Sequence, residues 1–429
     1  MSDHPLPVEE GAHDRMLATV LFDALRAASQ GVGTVGINRD SYGEGESEAL
    51  DLVEDEARGL GLATERDAGA NLVVTLEGRD PSLPFLACGS HLDSVPQGGN
   101  FDGGAGVVAG LAILAGFKRE GFRPARSIKL YGLRGEESAR FGKAYMGSGA
   151  LFGKLTAADL AAKDMRSEQT LGDCMRAVGV DLARVARGEP LLDPKRVAAW
   201  VELHIEQGPV LTARNLPVGI VTGIRGNVRH RVVECIGEAG HSGAVPRWLR
   251  HDAVFATAEL IAHLDQHWRT MLERGRDLVV TAGVVGTDPA EHAIARIPGL
   301  LRFSFEARSQ SRDTLEAFYD LFVAECDMIG EERGVEFRRD RRLESAPAVM
   351  DAAWVQRLKA AARRLGLPDE EIPSGAGHDA AVFANVGIPS AMIFVRNGNG
   401  SHNPYEAMEI DDFVAGVAVM RAAIREATA

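Results

Sequence analysis

His91, Asp93 and Asp102 fall in one short stretch, Gly89-Ser90-His91-Leu92-Asp93 followed by Gly98-Gly99-Asn100-Phe101-Asp102-Gly103-Gly104. A neutral imidazole, a carboxylate two residues on that can orient its ring, and a second carboxylate on a glycine-rich loop open to close backbone approach are the parts of a metal site. The glycines alone read as a turn with solvated polar residues; His-x-Asp followed by Asp reads as metal chemistry. Arg134-Gly135-Glu136-Glu137-Ser138 places two adjacent carboxylates just past an apolar run. Adjacent side chains on extended backbone point in different directions, so one can hold a metal while the other serves as base for an attacking water. Glu-Glu by itself is common on helix surfaces, and only its place after an apolar run raises it. His204 follows Trp200-Val201-Glu202-Leu203, and His402 stands in Gly398-Asn399-Gly400-Ser401-His402-Asn403-Pro404-Tyr405-Glu406, a loop with strong turn chemistry. His204 alone reads as structural. Together, His91, Asp102, Glu137, His204 and His402 make two sites of three protein ligands each if Asp102 is shared, and such open sites leave room for water.

To meet, these side chains need neighbouring elements to carry them. The runs Pro84 to Cys88, Ser127 to Leu133, Val197 to Leu203 and Ser390 to Val395 are short and continuously apolar, which predicts buried strands. Helical segments separate most of them, and Ala105 to Phe117 reads as a buried helix after the first. Polar residues recurring just beyond such strands are where open α/β sheets place their ligands. A segment of different character follows: a strand over Asn227 to Gly237, a helix over Asp252 to Met271, strands over Leu278 to Val285 and Leu300 to Arg308, and a helix over Arg312 to Gly334. The fold class expected is α/β, with a discontinuous catalytic domain at 1–217 and 343–429 interrupted by a smaller α+β domain at 218–342.

Composition narrows the function classes. The chain has 429 residues, 45% hydrophobic and 25% charged, the balance of an ordinary globular enzyme, without an apolar run near the ~18 residues that span a bilayer. A formal net charge of -14 repels phosphate backbones and argues against nucleic acid as a partner. The polar, acidic stretch Met1 to Gly11 lacks the parts of an export signal, so the expected location is cytoplasmic. Cys88, Cys174, Cys235 and Cys326 are far apart and read as reduced core thiols.

From about Asp67 to Glu406 the chain resembles the amidase/hydantoinase/carbamoylase branch of the aminoacylase-like dinuclear metallopeptidases. The resemblance is carried by the motifs above together with His204-Ile205-Glu206-Gln207-Gly208, Gly240-His241-Ser242-Gly243 and Ser374-Gly375-Ala376-Gly377-His378-Asp379-Ala380. It implies two divalent metal ions per subunit, zinc by default, with manganese, cobalt or nickel able to take the same ligands. It pairs His91 with His204 on one metal and Glu137 with His402 on the other, bridged by Asp102. It makes Glu136 the general base and acid, with Asp93 beside it in the catalytic set, and His241 the stabiliser of the oxyanion, contributed across a homodimer by the inserted lid or dimerisation domain. Gln207 and Arg308 match substrate-binding positions, the arginine suited to a carboxylate.

The implied reaction is hydrolysis of a carbamoyl or amide C–N bond in a small ureido acid, such as an N-carbamoyl amino acid or allantoate. Two departures bear on the substrate: Ile294-Ala295-Arg296-Ile297-Pro298-Gly299 has alanine where relatives commonly carry asparagine, and Arg134-Gly135 and Phe394-Val395-Arg396-Asn397 differ from the commoner wording. An aminoacylase-like or dipeptidase-like enzyme would use the same ligands and base, but His-Ile-Glu-Gln favours the carbamoylase branch. A non-catalytic metal-binding scaffold would be marked by loss of a ligand or of the base, and neither is lost.

Overall fold

The computed structural model describes residues 8–31 and 35–429; the N-terminal stretch read for an export signal lies largely outside them. Two compact units form, Gly223–Ala348 and the remainder of the chain.

In the larger unit, the four apolar runs become Phe85–His91, Ile128–Leu133, Val197–Ile205 and Ser390–Val395. They are buried along almost their whole length, as parallel strands covered on both faces must be. Phe85–His91 lies between Ile128–Leu133 and Val197–Ile205, parallel to both, and Val197–Ile205 is also parallel to Ser390–Val395. Antiparallel strands flank this core: Leu72–Leu76 and then Ala63–Arg66 on one side, Val218–Ile224 on the other. Gly104–Arg119 is buried from Gly104 through Phe117 and packs on Phe85–His91, with Val8–Ser29 and Ile410–Thr428 against it. A helix apolar on every side has to be enclosed in this way.

Because the four strands run in one direction, their carboxyl ends open on the same edge. His91 lies opposite Leu133, so Glu136 and Glu137 emerge beside it; His204 lies opposite Phe394, so the loop to His402 emerges beside that. Among the described residues no helix is long and apolar enough to cross a membrane.

The smaller unit is an antiparallel sheet with Leu300–Ser309 and Gly226–Ile236 at its centre. Leu300–Ser309 alternates buried and more exposed positions, the signature of a sheet with one face covered. Helices Ala253–Glu273 and Arg312–Arg333 cover that face around Val233, Phe303, Phe305, Phe318 and Phe322. Each begins on a side-chain cap, Asp252 on the amides of Val254 and Phe255, and Ser311 on that of Thr314. The run Leu278 to Val285, expected as one strand, is two, Val279–Thr281 and Val285–Gly286. The ladder breaks where the hydroxyl of Ser304 accepts the Val284 amide.

Candidate metal centre

Metal chemistry needs donors that converge with their lone pairs free, and the strand ends supply them. His91, Asp102 and His204 form one grouping of potential ligand atoms, and Asp102, Glu137 and His402 a second, with Asp102 common to both. Its two oxygens divide between them. Oδ1 lies 3.6 Å from Nε2 of His91 and 3.3 Å from Nε2 of His204, while Oδ2 lies 3.4 Å from Nε2 of His402. Nε2 of His402 is also 3.2 Å from Oε1 of Glu137. All but His402 are buried.

Each buried imidazole is oriented from behind. Nδ1 of His91 faces the Asp93 carboxylate at 3.2 Å and the Asp93 carbonyl at 3.1 Å, and Nδ1 of His204 faces the Ile205 carbonyl at 2.9 Å. With the proton on Nδ1, both rings turn Nε2 toward Asp102, and Nε2 of His204 also accepts the Gly103 amide at 3.2 Å. Glycine is required at position 103: its φ is +64°, and a Cβ there would stand 2.5 Å from the His91 ring. A further grouping of Glu202, His204 and His378 shares His204. The oxygens of Glu202 are already engaged by the Ser90 hydroxyl, the Trp200 indole and the Ala380 amide, so this carboxylate is a structural acceptor.

Glu136 is buried, with Oε2 3.9 Å from Nε2 of His91. Burial, opposed by His91 and reinforced by Glu137, Asp379 and Asp93, pushes its carboxyl well above the usual range. Burial works against charge on Asp102 too, but hydrogen bonds and charge from His204 and His91 prevail and hold it well below that range. The Glu137 contact, outweighing burial, lifts His402 to about 9. Carboxylates thus outnumber positive groups here, a demand for positive charge that divalent cations on the same donors would meet. The donor set of imidazole and carboxylate fits zinc and its neighbours in the first transition row.

Of the other residues singled out from sequence, Gln207 reaches the centre. Its backbone has φ +62°, its Nε2 donates to Oδ2 of Asp102 at 2.8 Å, and its Oε1 is buried without a partner among the described residues. His241 and Arg308 belong to the smaller unit. His241 is exposed on the short strand Gly240–His241, with Nδ1 accepting the Gly243 amide, and Arg308 pairs with Glu306 at 3.1 Å.

Four supporting roles escaped the sequence reading, although two of the residues, Ser401 and Glu406, stand in the His402 loop. Ser41 donates to Oδ2 of Asp93 at 2.5 Å. Oε1 of Glu406 accepts the amides of Phe101 and Asp102, and the Ser401 hydroxyl sits between Oε2 of Glu406 and Oδ2 of Asp102 at 2.6 and 2.5 Å. Arg39, fully buried, donates to Oδ1 of Asn100 in the same loop. The one available signal was Gly99, where a Cβ would collide with Glu406 at 2.1 Å.

Comparison with known proteins shows what the chain as a whole is similar to. Peptidase family M20/M25/M40 matches residues 87–426. The chain is 34% identical over 386 residues to an N-carbamoyl-L-amino acid amidohydrolase of Geobacillus stearothermophilus, covering 90% of this chain and 92% of the relative. It is 31% identical over 358 residues to the allantoate amidohydrolase of Escherichia coli (strain K12), covering 83% and 84%. A solved amidase of the hydantoinase/carbamoylase family from Burkholderia multivorans superposes with a TM-score of 0.86 at 27% identity, over 97% of this chain and 98% of that one.

Proposed function

The chain belongs to peptidase family M20/M25/M40, and from that premise we propose that it hydrolyses a linear carbamoyl or amide C–N bond in a small ureido acid, of the N-carbamoyl amino acid or allantoate type. The reaction type rests on one observation above the rest: a buried carboxylate, Glu136, beside two ligand groupings that share Asp102. The substrate class rests on relatives named for carbamoyl amino acids and allantoate.

Two divalent cations per subunit, zinc by default and otherwise manganese, cobalt or nickel, would be held by His91, His204 and Asp102 and by Asp102, Glu137 and His402. When bound, they supply Lewis acidity at the scissile carbonyl and acidify water. Glu136 takes a proton from the attacking water as its oxygen bonds to the carbonyl carbon, and returns that proton to the nitrogen as the C–N bond breaks. Asp93 keeps His91 in the tautomer that presents its Nε2 lone pair. His241 of the partner subunit stabilises the oxyanion in a homodimer. Gln207 and Arg308 hold the substrate, the arginine by donating to the substrate's carboxylate.

The test is ammonia release from a panel of ureido acids and N-acyl amino acids by metal-reconstituted protein, with Glu136→Ala as the blank. Ammonia from ureido acids that disappears in the variant supports the proposal. Amine from N-acyl compounds with no ammonia from any ureido acid overturns the substrate class in favour of an aminoacylase. Light scattering on the eluting enzyme tests the homodimer, and a monomer turning over at full rate excludes the role of His241 of the partner subunit.

A further inference from the structure

A buried ion pair stands at Arg134, one residue before the glycine that precedes Glu136. Nη1 of Arg134 lies 2.5 Å from Oε2 of Glu46, with both side chains almost fully enclosed. Arg134 also donates through Nε to the Ala70 carbonyl at 2.9 Å and through Nη1 to the Ser47 hydroxyl at 3.1 Å. Glu46, in the first turn of the helix Glu44–Gly59, accepts the Tyr42 amide on Oε2 at 2.8 Å and the Gly135 amide on Oε1 at 2.7 Å.

That last bond joins Glu46 to the segment bearing the base. The amides of Gly135, Glu136 and Glu137, three in succession, go to Oε1 of Glu46, Oδ1 of Asp93 and Oδ2 of Asp93, at 2.7, 3.0 and 3.0 Å. On the other side, the carbonyls of Arg134, Gly135 and Glu136 accept the amides of Gly147, Met146 and Tyr145. Gly135 is held at φ +62°, where a Cβ would stand 2.7 Å from the Tyr42 ring. A buried ion pair commonly adds little stability over an apolar pair of the same shape, since desolvating both charges offsets their attraction. Its defining property here is direction, because an ionised carboxylate can accept two amides and a guanidinium at once.

We propose that Glu46, paired with Arg134, is a positioning residue for the hydrolysis: by fixing the Gly135 amide it sets the direction in which Glu136 presents its carboxylate. The role rests on the reading of Glu136 as the base. Glutamine at position 46 cannot replace it, since the amide has one acceptor oxygen and would turn its NH2 toward either the Tyr42 or the Gly135 amide. Aspartate keeps the charge but falls short by one methylene, about 1.5 Å.

The test compares Glu46→Gln, Glu46→Asp and the double variant Glu46→Gln/Arg134→Gln with wild type, each metal-reconstituted and assayed on the best ureido acid well below its Tm. The expected result is a kcat lower by about tenfold to a hundredfold, the scale of an ångström's misplacement, with KM and bound metal unchanged. The double variant recovers the Tm lost by the single glutamine, since no lone buried charge remains, but it does not recover kcat. A double variant with wild-type kcat at full metal content overturns the proposal and leaves the pair a purely structural clamp. Should the single variants not fold, the double variant alone decides by the same criterion. A wild type that turns over N-acyl amino acids only would fail the substrate reading, and the same kcat comparison on those compounds would still decide the role of Glu46.

Discussion

Asp93 and Glu136 are joined by a 3.0 Å hydrogen bond from the Glu136 amide to Oδ1 of Asp93, the oxygen that also lies 3.2 Å from Nδ1 of His91. One buried carboxylate therefore sets both a proposed ligand and the backbone of the proposed base. Asparagine at position 93 has a single acceptor oxygen. It turns its NH2 either toward the Glu137 amide or toward His91, and in the second case it moves the imidazole proton onto Nε2. Asp93→Asn is expected to weaken metal binding by about 10–100-fold and to lower kcat with it. Competition against a chelator measures the first effect, and unchanged affinity would show that Asp93 does not orient the ligand.

Gly103 offers a second test of the His91 grouping. Alanine there meets the imidazole at 2.5 Å and must hold a φ near +64°, a backbone strain of about 1–3 kcal/mol before any clash is counted. Gly103→Ala is expected to fold with a lower Tm and to retain less metal per subunit. Metal analysis after gel filtration checks this, and a full complement with normal activity would place the metal elsewhere.

The smaller unit carries a pH-dependent contact of its own. His263 and His267 each approach one oxygen of Glu325 at 2.7 Å, from the helix Ala253–Glu273 to the helix Arg312–Arg333. Burial opposes ionisation of Glu325, but hydrogen bonds from His267 and His263 hold its carboxyl below the usual range. A folded-state pKa below the unfolded one stabilises the protein above the ordinary carboxylate pKa, and that contribution is lost as pH falls through the folded value. Glu325→Gln should lower Tm by about 1–3 °C near neutral pH and by almost nothing near pH 3. Equal losses at both would mean that the contact is not electrostatic.

The thiols should be silent in the folded protein. Burial pushes Cys88 and Cys326 to about 12 and Cys235 to about 11, and Cys174 is also buried and raised. At pH 8 the thiolate fraction of the first three is about one in a thousand or less. Alkylation should stay near zero in buffer and reach four equivalents in denaturant, matching the four cysteines of the chain. Rapid reaction of one thiol in buffer would show that its part of the core opens.

By itself the sequence determined which side chains stand at the strand ends. Continuous apolar runs, glycine-rich turns and the polar residues beyond them are local signals, written within a few residues of His91, Glu136, His204 and His402. The burial of the strands that carry those residues follows from the same runs. Tertiary structure alone decided how their atoms face one another. The division of Asp102 between two groupings was one such arrangement, and Ser41 on Asp93, Glu406 under the Asp102 amide and the Glu46–Arg134 pair join positions 52 to 304 residues apart. Such pairings are set by strand register and helix packing to within an ångström, and residue types do not record them at that distance. Local patterning also failed at Leu278 to Val285, whose residue types read as one run but which forms two short strands against Leu300–Ser309, with the Val284 amide on the Ser304 hydroxyl.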